Sequence, residues 1–595
     1  MLRIRLTWAI LAIAGAGSSA LSQRPDLPPL LDSGAYVVER NISIATPDGA
    51  HLCAMVVRPR GAPPRLPALL RFTIYADSTT DLREARLTVS HQYVSVTGYV
   101  RGKMCSPDRT WPYVHDGDDA ATIIGWIARQ PWSDGRVAMY SGSYEGFTQW
   151  AAAKRMPKAL KTIMTGAAAA PGIDVPMEGN VVWNFVYPWP FYTTDNKTLD
   201  TTTYNDQARW NRLNRTWYLS GRAYRDMAAL DGATNPVWDE WIAHPSYDAY
   251  WQHMIPFERE FARIDIPVLQ TAGYFYGGPG AALYYFTQHY KYRPNAEHYL
   301  LIGPYDHFQA QRGVVNRRRG DTTNVISQYT TDSAAWIDIV NDLRFQWFDY
   351  VLKHGPKPAL LADKLNYEVM GANVWKHASG IAGMSNGTRR FYLNGSRTGN
   401  AHRLSETRPA PHDSAVSLTV NLADRSDVDA NTPGGAVLDT AVDVSNGLEF
   451  ISDPLSGSVE LSGLFSGDLE FVTNKKDFDF AVSLFELRPD GKYLQIPPFQ
   501  TRASFAHDRT HRRLLTPGQR ERLAFQSVRL ASVRLGRGSR LVVVLQIIKN
   551  QGQEINYGTG KRVADESVAD AGAPLTIHWL PGSFIEIPIV SRSGR

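Results

Sequence analysis

The chain has 595 residues, 43% hydrophobic and 20% charged, with a formal net charge of +5. That is the composition of a folded globular protein too long for a single core, so two or three domains are expected and a disordered or fibrous chain is excluded. The charge is small for this length and no dense basic block carries interleaved aromatics, so nucleic acid is not an expected partner; Arg317, Arg318 and Arg319 read as a solvated loop face.

In chain order, the first segment has a basic head (Met1 to Arg5), an apolar run from Leu6 to Ala16 and a small-residue exit through Gly17, Ser18, Ser19 and Ala20. Residues 1–22 therefore read as a secretory signal peptide, with the mature chain beginning near Leu21 or Gln23. The run is too short to span a bilayer, and no other window is long and apolar enough. Localisation is expected to be secreted or periplasmic. Two cysteines, Cys53 and Cys105, fit an oxidising compartment, with one disulfide or two separate thiols both open. No His-Glu-x-x-His or clustered ligand motif is present, so neither a metal nor a cofactor is expected.

Residues 36–44, 52–58, 67–75 and 93–100 alternate and are rich in β-branched side chains, as strands do. A helix is expected over 118–130, with Ala121, Ile124 and Ala128 on one face. Residues 136–152 then give a short strand, a tight turn of small residues at Ser143, and a helix. Strand, helix, turn, strand and helix predict a parallel α/β sheet. From 176 to 256 strands give way to helical stretches dense in tryptophan (Trp183, Trp189, Trp210, Trp217, Trp238, Trp241, Trp251), read as an inserted helical cap. Most of these rings should pack the cap itself, and a share could line an apolar pocket. The α/β pattern resumes at 266–273 and 298–304 and closes with a helix over 336–352. Beyond 363 only short alternating segments separated by Gly, Asp, Asn and Ser remain, an all-β sandwich for which a jelly roll is the leading form. The expected division is 1–22 signal, 23–175 and 257–362 α/β domain, 176–256 cap, 363–595 β-sandwich.

A strand-turn-helix elbow lifts a serine clear of the sheet and aims helix N–H groups at a developing oxyanion. Ser143 occupies that place, although the pattern is irregular: Ser141 stands where a glycine is usual, and Gly146 sits three residues after the serine instead of two. A plain helix-entry turn would look the same. Order along the chain favours His307 as the base, because it follows a strand end where parallel sheets bind ligands. Tyr75, at the end of an early strand, is placed to form an oxyanion hole with the Tyr144 N–H.

These residues, with residues 130–137, the Arg101-Gly102-Lys103 loop, residues 303–307, residues 452–455 and residues 477–480, resemble the family containing cocaine esterase, α-amino acid ester hydrolases, cephalosporin acylases and X-Pro dipeptidyl peptidases. The resemblance covers essentially the whole mature chain. It implies an α/β-hydrolase fold with a helical cap and a C-terminal jelly roll, Ser143 as nucleophile, His307 as general base, and Tyr75 with the Tyr144 N–H as oxyanion hole. It also implies an acid where Tyr276 stands, and no acidic residue lies between Asp265 and Glu297. Tyrosine is neutral at pH 7 and cannot stabilise an imidazolium as a carboxylate does; Asp306 is adjacent to the histidine but is not expected to face it. The family's carboxylates for a substrate ammonium are replaced here by Gly277, Gly278 and Pro279, which favours a neutral acyl ester or amide. The expected activity is an exported serine hydrolase acting through a Ser143 acyl-enzyme on a small-molecule ester or amide, free of the membrane after signal removal, with homo-oligomer formation open. An X-Pro dipeptidyl-peptidase-type aminopeptidase and a degenerate hydrolase serving as a ligand- or carbohydrate-binding protein are the alternatives.

Overall fold

A computed structural model describes residues 27–591 apart from 62–64, 276–278, 411–413 and 430–435. The expected signal peptide and Tyr276 lie outside the described residues.

Ten strands form one sheet: β1 (Tyr36–Ala45), β2 (His51–Pro59), β3 (Leu66–Thr73), β4 (Val94–Tyr99), β5 (Ser133–Gly142), β6 (Leu160–Gly166), β7 (Val268–Gly273), β8 (His298–Gly303), β9 (Leu365–Val369) and β10 (Val374–Ala378). Their spatial order is β1-β2-β4-β3-β5-β6-β7-β8-β9-β10. The centre from β4 to β9 is parallel and the edges are antiparallel. Parallel strands are covered on both faces, which explains why β3 reads as a nearly continuous apolar run. Leu69 on one face joins Ala138, Tyr140 and Trp347, while Leu70 and Phe72 on the other join Ile123, Phe147 and Trp150.

The covering helices are α1 (Ser78–Ser90), α2 (Asp116–Ala128) and α3 (Tyr144–Arg155), followed after β6 by α4 (Trp189–Thr194), α5 (Gln207–Ser220) and α6 (Pro236–Ala243), then α7 (Pro279–Tyr292) and α8 (Arg344–Lys353). The helix expected over 118–130 begins and ends two residues earlier, its first turn holding Asp116, Asp118 and Asp119 where carboxylates suit the helix dipole. The one expected over 336–352 begins only at Ile339, with a π-helical turn Ile339–Leu343 before α8. Asp338 caps that turn by accepting from the Asn341 N–H at 2.9 Å, and Trp336 belongs to the preceding turn, its indole donating to the Thr331 carbonyl.

From Gly387 to Val590 the chain is all β, with a core of Phe471, Phe478, Phe480 and Trp579. It is fastened to the α/β domain by the segment after β6. Gly179, at φ 60°, packs so closely that an added Cβ would lie 2.2 Å from the Gln500 carbonyl oxygen. Glu178 pairs with Arg529, and Arg509 donates to the Gly172 and Ile173 carbonyls. The β domain thereby walls one side of the space above the parallel strands.

Cys53 and Cys105 form a disulfide, joining β2 to the loop after β4. No helix among the described residues is long and apolar enough to cross a membrane.

Candidate active site

Ser143 sits between β5 and α3 at φ 59°, ψ −126°, a backbone region that costs about 1–3 kcal/mol unless its surroundings impose it. The surroundings do so: the Ser143 N–H donates to the Gly166 carbonyl at 2.9 Å, and its carbonyl accepts from Gly146 and Ala169. The two irregularities of the motif have physical explanations. Ser141 takes the left-handed φ of 114° that a glycine would otherwise supply, held by a hydrogen bond from its hydroxyl to Glu145. Glu145 is paired at 2.7 Å with Arg71, which also meets Asp81 at 2.6 Å. Gly146 lies where α3 crosses the chain after β6, and a Cβ there would come within 2.7 Å of the Ala168 side chain. The close approach occurs one residue later than in the usual pattern, so the glycine does too.

Tyr75 follows β3 and borders the same cavity as Ser143. Trp189 at the start of α4 points its indole N–H at the Tyr75 oxygen, 3.3 Å away. An indole only donates, so the phenol oxygen accepts from it and the Tyr75 proton stays available to another acceptor. Burial pushes the Tyr75 phenol well above its ordinary range, keeping that proton in place. Tyr144 supplies a first-turn N–H, which has no intrahelical acceptor. Its ring is buried, with the hydroxyl donating to Asp116 at 2.7 Å and accepting from the Tyr113 N–H. Burial raises the Asp116 carboxyl to about 7, against the lowering effect of that bond.

His307 lies in the turn after β8 and borders the same cavity as Ser143 and Tyr75, a space of about 1650 Å³. Its loop is tied to the elbow through Gln311, whose amide donates to the His307 carbonyl at 2.9 Å and whose side chain fills the space a Gly142 Cβ would need. The loops after β7 and β8 are joined as well: the Tyr274 N–H donates to Gly303 and the Phe275 N–H to Tyr305. Asp306 spends its carboxylate on this turn, accepting from the Phe308 and Gln309 N–H groups at 2.9 and 2.7 Å.

Of the aromatics between β6 and β7, Trp183, Trp189, Trp210 and Trp241 border the cavity, whereas Trp217, Trp238 and Trp251 pack the helical region itself. Sequence reasoning missed Asp174. Its Oδ1 accepts from the Ala170 N–H at 2.9 Å, while its buried Oδ2 has no partner among the described residues, and it borders the cavity. Burial raises it to about 7. No short motif marks it; its setting comes from α7 and the β domain closing over it.

Residues 48–309 match the X-Pro dipeptidyl-peptidase (S15 family) model, and residues 361–578 match the X-Pro dipeptidyl-peptidase C-terminal non-catalytic domain. The cocaine esterase of Rhodococcus sp. (strain MB1 Bresler) is 26% identical over 94% of this chain and 100% of its own. Among solved structures, an α-amino acid ester hydrolase superposes with a TM-score of 0.76 at 19% identity, over 98% of this chain and 100% of its own. An aminopeptidase from a marine sediment Thaumarchaeota archaeon gives 0.76 at 18% identity, over 96% and 99%. The chain belongs to the family of serine hydrolases that includes cocaine esterase and the X-Pro dipeptidyl peptidases, built as an α/β-hydrolase domain with a C-terminal all-β domain.

Proposed function

We propose that this protein is an exported serine hydrolase that cleaves an ester or amide bond through an acyl-enzyme on Ser143. The observation that carries this reading is the strained elbow that presents Ser143 to a cavity also bordered by Tyr75 and His307. His307 removes the serine proton as Oγ attacks the acyl carbon, and the oxyanion takes hydrogen bonds from the Tyr144 N–H and the Tyr75 hydroxyl. His307 then protonates the leaving group, and water repeats the sequence to free the acid. With tyrosine at 276, the Ser143–His307 pair works without a carboxylate at that position. Export is supported by the N-terminal pattern and the Cys53–Cys105 bond, since disulfides persist in oxidising compartments.

Asp174 favours a second reading, aminopeptidase action. A buried carboxyl with an open oxygen in the cavity is a group that a substrate ammonium would complete. One experiment decides between them: kcat/KM for phenyl acyl esters and for aminoacyl anilides, followed against pH in wild type, Ser143→Ala and Asp174→Asn. The esterase reading expects esters to be the better substrates, with both activities lost in Ser143→Ala and ester turnover retained in Asp174→Asn. Anilide turnover that exceeds ester turnover, grows relative to it as pH rises through about 7, and vanishes in Asp174→Asn would establish the aminopeptidase instead.

A further inference from the structure

Part of the cavity lining is charged, with Arg71, Glu84, Glu145, Arg318 and Arg344 bordering the space. Arg71 is fully committed to Asp81 and Glu145. Arg344 is not. It is 5% exposed at the start of α8, directly after the π-helical turn, and its Nη1 pairs with Glu84 at 3.2 Å. Its Nε and Nη2 are buried with no hydrogen-bond partner among the described residues. The guanidinium lies over the rings of Tyr140 (4.6 Å) and Phe345 (4.8 Å), so its faces are covered and its donors, which lie in the plane, point past the rings. Arg318, expected from the sequence on a solvated loop face, is instead half-buried and borders the same cavity. Its Nη2 donates to the Pro28 carbonyl, and its buried Nε is likewise without a partner.

Buried guanidinium donors without partners are costly to hold. Burial holds Arg318 below its ordinary range; Asp338 pulls it up, and the Arg344 charge adds a smaller push down. Burial first, then Arg344 and Arg318, push the nearby His91 imidazole down to about 3, while Asp349 pulls it up. Its ring is stacked on Phe345 at 3.6 Å, with Nε2 also unpartnered. A planar oxyanion reaching these arginines would satisfy the open guanidinium donors with charge-assisted hydrogen bonds.

We infer that this charged part of the cavity is a carboxylate-binding subsite, so that the preferred substrate carries a carboxylate at the end remote from the bond attacked at Ser143. The inference rests on the hydrolase reading, and its test is built to fail separately. Phenyl monoesters of dicarboxylic acids of graded length are compared with the matching uncharged acyl esters in the full-length protein. The readout is the ratio of kcat/KM, charged over uncharged. The expected ratio for the best-fitting length is about tenfold or more, the scale of one charge-assisted hydrogen bond, and it falls towards unity in Arg318→Ala. Arg344→Lys keeps a cation for Glu84 but loses the fork, and should also lower the ratio; melting temperatures of both variants show that the fold is retained. Free adipate should inhibit ester turnover competitively. A ratio near one at every length, a ratio unchanged in both variants, or adipate that binds without competing would overturn the subsite. If uncharged esters are not turned over at all, or Ser143→Ala still turns them over, the hydrolase reading falls instead.

Discussion

In the all-β domain, Arg502 is 1% exposed and meets Asp479 at 2.8 Å and Glu554 at 2.6 Å, while Asp477 is held by Ser504 and Arg512. At the carboxyl edge of the α/β sheet, Asp116, Asp174 and Glu368 are also buried, but none is ion-paired among the described residues and each is raised, to about 7, 7 and 9. Burial disfavours a lone charge and answers it either with a partner or with a proton. The β domain uses partners. Outside the Arg71–Asp81–Glu145 cluster, the catalytic edge uses protons and strained backbone, at Ser141 and Ser143, and leaves donors and acceptors open where a ligand would sit.

The largest effect should come from breaking the paired side. Arg502→Ala leaves Asp479 and Glu554 facing each other without a cation and should cost about 3–5 kcal/mol in urea unfolding. It should also loosen the wall of the cavity, because the Glu554 carboxylate accepts from the Val182 N–H in the segment fastening the domains. A cost below about 1 kcal/mol would show that the contrast between the two regions is not energetic.

On the open side, Tyr75→Phe removes one oxyanion donor and leaves the ring packing. Turnover should fall by about 100- to 1000-fold, equivalent to about 2.7–4 kcal/mol, with KM little changed. A loss confined to KM would move Tyr75 from the transition state to ordinary substrate binding.

A pH-dependent effect concerns Glu368, raised first by burial and then by the charge of Asp332. A carboxyl raised in the folded state contributes stability that is fully present below its unfolded value of about 4.5 and is lost as pH rises through about 9. The melting temperature should therefore drop across that window, and Glu368→Gln should flatten the curve at its alkaline end. Parallel curves for the two proteins would show that Glu368 carries no proton at neutral pH.

Much of the frame was legible in the chain because it rests on local pattern. Alternation marked the strands, and the small residues around Ser143 marked the elbow. The position of His307 after a strand pointed to the cavity it borders. What escaped depends on contacts between distant residues. Nothing near Ser141 in sequence says that Arg71 will fix Glu145 and so hold the turn, and nothing near Tyr75 names Trp189 as the donor that orients its hydroxyl. The late glycine, Gly146, looked like a defect until Ala168 was seen against it. Trp336 extended the expected helix because its apolar spacing fits, but the Asp338 cap decides where the turn begins.

The most direct test of the catalytic assignment is labelling of the intact protein by a fluorophosphonate, with the modified residue located by peptide mass spectrometry. Stoichiometric modification of Ser143, slowed in His307→Ala and absent in Ser143→Ala, is the predicted result. An intact, folded protein that leaves Ser143 unmodified, or one labelled equally well without His307, would contradict it.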